Sequence, residues 1–128
     1  MEYVAYADES YARAERFRSI CSFSFPLDNH DDIDSELTEV LEKSNVSEFK
    51  WKKLKSAKYR FCAEKIVKYI INNQPKYNLR IDVLIWDTHD DRHKVKSRDD
   101  RANFERMFFH LLKYSMKRRE NNSGWSIF

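Results

Sequence analysis

The sequence predicts an α/β protein, a mixed sheet of antiparallel and parallel strands covered by helices on both faces. Three observations predict it. Two alternating segments, 2 to 9 and 17 to 25, are joined by a connection short enough for an antiparallel hairpin. Three segments of helical period follow. Before the last of them stands "LRIDVLIWD", 79 to 87, a β-branched apolar run placed directly after a helix, as in a strand–helix–strand crossover.

Taken in order, residues 2 to 9 read as a buried strand whose small and aromatic residues end in two carboxylates, Asp8 and Glu9. In 17 to 25, Phe17, Ser19, Cys21, Phe23 and Phe25 share one side, and Pro26 stops the strand. Asp31 or Asp32 then caps a helix with the apolar stripe Ile33, Leu37, Val40 and Leu41. "EFKWKKL", 48 to 54, alternates and reads as an edge strand or an extended lead-in. Ser56 caps the next helix, which runs to about Asn73, buries Cys62, Ile66, Tyr69 and Ile70, and has Pro75 just beyond its end. A polar loop, 88 to 98, leads to a helix from about Asp99 to Arg119 that buries Phe104, Met107, Phe108, Leu111 and Ser115. "GWSIF" reads as the beginning of a last strand. In the expected sheet, strand 79 to 86 lies parallel beside strand 3 to 8, with 17 to 25 antiparallel on the other side.

The totals exclude several classes. A chain of 128 residues is one domain's worth, 1 to 128, with enough apolar content for a core. One glycine, Gly124, rules out a glycine-rich phosphate loop. Cys21 and Cys62 form no C-x-x-C pair, so a reducing compartment is expected, and both read as packing residues on apolar faces. No apolar run approaches the roughly 20 residues of a membrane helix, and no signal-peptide pattern opens the chain; the expectation is a soluble cytoplasmic protein.

Charge is unevenly spread. Asp28 to Glu42 holds seven acids and no Lys or Arg, whereas Lys43 to Arg60 holds seven bases against Glu48 alone. These are either two solvated faces or, in the second case, a stripe facing a polyanion, with Lys50, Lys52, Lys53 and Lys55 at its centre. Arg92, Lys94, Lys96 and Arg98 in the polar loop touch phosphates or are simply solvated. In "DTHDDRH", His89 and His93 stand four apart beside Asp87, Asp90 and Asp91, but zinc ligation at that spacing needs a helix and this stretch reads as loop. Arg106 and His110 have only three residues between them, short of the R-x(4–6)-H spacing of helical HEPN ribonucleases, and His110 reads as an interfacial or surface histidine. Trp51, Trp86 and Trp125 could stack bases, yet two follow strand parity and read as core cover.

Asp8 ends the first strand and Asp87 the third. In neighbouring parallel strands both carboxylates would emerge at one sheet edge, where α/β ligand sites lie. Adjacent like charges repel, and a divalent cation between them relieves that. Alternatively, the acids merely end their strands and bind turn amides.

The opening "YADES", the mid-chain "EFKWKKL" and "VLIWDTHDDRHKVKSRDDRANFERMFFHLLK" together resemble the bacterial domain-of-unknown-function family numbered thirty-eight hundred, over nearly the whole chain. The resemblance implies an RNase H-like fold and a nuclease dependent on Mg²⁺ or Mn²⁺, in phage-defence or mobile-element settings. It implies Asp8, Glu48 and Asp87 as catalytic acids, Glu9 with them as metal ligands, and Lys50 beside them. Nucleic acid is the implied partner, and a non-catalytic nucleic-acid-binding or assembly module is the alternative. Two departures stand out. Tyr11 occupies the position of the family's glycine, and the family's further acid just after the last strand has no counterpart before Phe128. The expectation is therefore a fragment lacking one ligand, which binds at most one divalent ion weakly and cleaves little.

Overall fold

The computed structural model describes residues 1–10, 15–119 and 122–128. It is an α/β fold, with a mixed four-stranded sheet and three α-helices. The strands are β1 (Glu2–Ser10), β2 (Phe17–Pro26), β3 (Arg80–Asp87) and β4 (Gly124–Ile127). The helices are α1 (His30–Lys43), α2 (Ala57–Tyr77) and α3 (Asp100–Lys117). The chain divides into two compact units, Met1–Ser24 with Arg80–Phe128, and Phe25–Leu79.

In the first unit the sheet order is β3-β2-β1-β4. β1 and β2 are neighbours, as their short connection predicts; Tyr11 and the rest of 11–14 lie outside the described residues. The expected position of β3 is corrected. It pairs antiparallel with β2, in the register Phe17 to Asp87 and Ile20 to Leu84, and forms a sheet edge. The parallel partner of β1 is β4, with Glu2 opposite Gly124 and Ala5 opposite Ile127. The apolar run of β3 suggested burial on both faces. Instead Ile81, Val83 and Ile85 are exposed, whereas Leu84 and Trp86 turn inward. Periodicity shows that a segment is a strand but does not name its neighbour.

The inward face of β2 is also the opposite of the one read from the sequence. Ile20, Ser22 and Ser24 are fully buried, whereas Phe17 and Cys21 are exposed. The packing role expected of Cys21 is thereby corrected, since Cys21 is exposed, although Phe25 further along the same side is 2% exposed and belongs to the core. α3 packs as its spacing predicts. Leu111 joins Ile20 and Trp86 in the core, with Phe104, Met107 and Phe108 against them. Each such side chain removed from water contributes about 1.5–3 kcal/mol. Asp99 caps this helix, its carboxylate accepting from the Ala102 amide at 2.8 Å. Ser115, fully buried, donates to Asp82 at 2.9 Å, and Arg80 grips the same carboxylate through two 2.8 Å bonds.

The second unit holds α1 and α2 around Val46, Tyr59 and Cys62, with Leu41, Phe49 and Ile66 packed on them. Asn29, not Asp31 or Asp32, is the N-cap residue of α1; the two aspartates occupy its first turn, where they favour the helix dipole. Residues 48 to 54 form no strand, and Trp51–Lys53 is a single 3-10 turn. α2 continues past Asn73 to Tyr77 with Pro75 inside its last turn, and ends at Asn78 in the left-handed conformation, φ 51°. Tyr69 and Tyr77 hold that turn by donating to the two oxygens of Glu36 at 2.6 and 2.7 Å. Lost ionisation freedom shows in Tyr69, whose hydroxyl is pushed up first by burial and then by the Glu36 bond.

Candidate nucleic-acid interface

A cleft of about 620 Å³ opens where β3 ends beside α3. Leu84, Trp86 and Met107 line it with apolar surface, and Asp87, Asp90, Arg92, His93, Arg98, Arg106 and His110 with charged or polar groups. The strand supplies Asp87, the 3-10 turn Asp91–His93 supplies His93, and α3 supplies Arg106 and His110 one turn apart. A second cleft, about 450 Å³, shares Arg98, Arg106 and His110 and adds Ala102, Glu105 and Phe109.

The loop is pinned by its own polar bonds. Asp90 accepts from the Arg92 amide at 3.0 Å and from its guanidinium at 2.6 Å. Those bonds hold the Asp90 carboxyl well below the usual carboxylate range. Asn103 on α3 donates to the His93 carbonyl at 2.9 Å, which ties the turn to the helix. Arg16 binds both oxygens of Asp87, and the His89 amide donates to the same carboxylate. Together these lower Asp87 to about 2, the Arg16 bond contributing most.

The cations divide into two sets. Arg16, Arg92, Lys94 and Arg101 have carboxylate partners in Asp87, Asp90, Asp91 and Glu105. Arg98 and Arg106 have none among the described residues. Among the described residues Arg98 Nε is buried without a hydrogen-bond partner, and its Nη2 donates to the Arg92 carbonyl at 3.5 Å. Two guanidiniums without carboxylate partners among the described residues thus line one cleft, and the buried Arg98 Nε is a donor whose lack of an acceptor costs about 1–3 kcal/mol. Exposed aromatic rings frame it, with Phe17 in the first cleft and Phe109, 60% exposed, in the second.

The sequence-predicted acids fare differently. Asp8 is exposed near the end of β1, its Oδ1 accepting from the Glu9 amide at 2.9 Å; Glu9 is exposed as well. Asp87 lies on β3, with β2 between it and β1, so two strand spacings, roughly 9–10 Å, separate the two strands. With that separation, and with both Asp87 oxygens on Arg16, this pair does not fit one shared divalent ion. Among the described residues no three of His, Cys, Asp and Glu are grouped to hold a metal. Glu48 belongs to the second unit, where it meets Lys50 at 3.3 Å. Lys52, Lys53 and Lys55 are exposed there, and Lys53 sits over the Tyr59 ring at 5.4 Å.

The sequence reading pairs Arg106 with His110 and sets Arg98 apart in the polar loop. The signal that joins them is a four-residue step. Positions 102, 106 and 110 run along one side of α3, with Glu105 and Phe109 beside them, and Arg98 joins them from the loop just before the helix.

No family model matches the chain, and no solved structure matches it. Two proteins of Methanothermobacter thermautotrophicus are similar to it. The "Uncharacterized protein ORF2'" is 33% identical over 134 residues, covering 98% of this chain and 47% of that protein. The "Uncharacterized protein ORF2" is 30% identical over the same extent. The chain thus spans about half the length of these relatives. Among the described residues no helix is long and apolar enough to cross a membrane.

Proposed function

We propose that this protein is a cytoplasmic module that binds the phosphodiester backbone of single-stranded nucleic acid in the cleft beside α3. The observation that carries the reading is the pair Arg98 and Arg106, two guanidiniums on one cavity without counterions among the described residues. Guanidinium matches phosphate in shape and charge. The exposed Phe17 and Phe109 rings, each with a cation over one face (Arg16 and Lys113), leave the other face for an unstacked base, which suits a single strand better than a closed duplex. Fluorescence anisotropy with labelled single strands and duplexes tests it. Binding weakened at least tenfold by Arg98→Gln with Arg106→Gln is expected, and unchanged binding sinks the reading.

A second reading, divalent-metal phosphodiester hydrolysis in the RNase H-like manner, draws on the resemblance and on one observation. The Ala7 amide donates to the Phe128 carbonyl at 2.9 Å, so Asp8, next in the chain, stands at the shared carboxyl end of the parallel strands β1 and β4. Ligands of α/β sheets gather at that end. Cleavage that requires Mn²⁺ and is lost in Asp8→Asn would favour this reading; Mn²⁺-stimulated cleavage unaffected by Asp8→Asn would remove it.

A further inference from the structure

We infer that the cleft is also a ribonuclease site that needs no metal, in which His93 and His110 move the protons of an internal transesterification of RNA. This inference rests on the phosphate-binding reading above. Two imidazoles from separate elements line one cavity, His93 from the 3-10 turn and His110 from α3. Arg106, whose guanidinium has no carboxylate partner among the described residues, lines the same cavity and is one helical turn before His110. The backbone of His93 is fixed on both sides, since its amide donates to Asp90 O at 3.1 Å and its carbonyl accepts from Asn103. The Asp90 carboxylate lies within the electrostatic reach of the His93 ring.

Cleaving an RNA strand without a metal needs three things at one phosphate. A base must take the 2′-hydroxyl proton, an acid must protonate the departing 5′ oxygen, and a cation must steady the non-bridging oxygens. Imidazole is the side chain suited to both proton roles near neutral pH, and guanidinium to the third. In the step, one neutral imidazole takes the 2′-hydroxyl proton as that oxygen bonds to phosphorus. The bond from phosphorus to the 5′ oxygen breaks, and the leaving oxygen receives a proton from the other imidazole, which entered protonated. The products are a 2′,3′-cyclic phosphate and a 5′-hydroxyl. Proton exchange with water restores both rings. DNA lacks the internal nucleophile, so it should bind and stay intact.

The test incubates the protein with a labelled single-stranded RNA in excess EDTA, beside the same strand carrying 2′-O-methyl groups throughout. Anisotropy on the methylated strand reads binding, and mass spectrometry on the RNA reads the ends. The expected result is cleavage to 2′,3′-cyclic phosphate ends, slowed roughly 100-fold or more by His93→Gln or His110→Gln. Those variants should still bind the methylated strand and keep the parent's circular dichroism, so that the loss falls on cleavage. RNA that is bound but intact in EDTA overturns the inference, as does cleavage appearing only when Mn²⁺ is restored or parental rates in both variants. Failure to bind even the methylated strand overturns the phosphate-binding reading as well.

Discussion

Arg16 closes on Asp87 as a fork, with Nε 2.9 Å from one carboxylate oxygen and Nη2 2.7 Å from the other, which joins the start of β2 to the end of β3. Thr88 reinforces the joint, donating through both its amide and its hydroxyl to the Arg16 carbonyl. The acid that the sequence offers as a metal ligand is therefore half of an ion pair, and it helps set the shape of the cleft.

The pair makes a pH prediction. In the fold Asp87 titrates at about 2, below the roughly 3.9 of an unfolded aspartate. A depressed carboxyl stabilises the fold above the unfolded value, and that contribution is lost as pH falls through the folded one. Arg16→Gln should move Asp87 up toward the ordinary range, as read by carboxyl ¹³C NMR. If Asp87 stays near its parental value in the variant, the His89 amide rather than Arg16 holds it.

Salt dependence separates phosphate contacts from incidental charge. Each phosphate contact on a single strand contributes about 0.7 to the slope of log affinity against log salt. Arg98→Gln and Arg106→Gln should each lower the slope by about that amount, across sequences alike. An unchanged slope in both variants would mean that these guanidiniums do not meet phosphate.

The lysines of the second unit make an independent case. Lys52, Lys53 and Lys55 are exposed, and changing all three to Gln should weaken binding and lower the slope if the 43–60 stretch meets the strand. Parental affinity and slope would return these lysines to ordinary solvation.

Two residues two positions apart on α3 should behave oppositely. Leu111 is 3% exposed and packs with Ile20 and Trp86, so Leu111→Ala should cost about 2–5 kcal/mol in urea unfolding. Phe109 faces solvent, and Phe109→Ala should change stability by no more than about 0.5 kcal/mol. Its loss should instead weaken strand binding by about 1–3 kcal/mol if a base stacks there. Equal effects of the two changes on stability would contradict this division.

Much of the fold was legible in the residues. The stripe Phe104, Met107, Phe108, Leu111 and Ser115 identified the packed side of α3, because side chains three and four apart fall on one face. Asp99 announced the start of that helix, and the alternation of 17 to 25 announced β2. The side of β2 that faces the core was not legible. Its odd positions are the more apolar, yet the core takes Ile20, Ser22 and Ser24, with Ser115 of α3 also buried and bonded to Asp82. Small hydroxyl side chains let a helix approach closely, an option that a count of apolar residues misses: Ser24 Oγ accepts from Arg119 at 3.2 Å and Ser115 donates to Asp82, whereas Ser22 Oγ is buried without a partner among the described residues.

The sequence by itself determined the class of the protein, the period and extent of nearly every strand and helix, and the residue types able to hold an anion. These are local properties, written in spacing and side-chain chemistry. Only the tertiary structure decided that β4, not β3, runs beside β1, and that Asp87 meets Arg16 rather than Asp8. It alone brought His93, Arg98, Arg106 and His110 to one cleft. The reason is that strand pairing is chosen among distant segments by whole-sheet packing, and backbone hydrogen bonds are nearly blind to which residues make them.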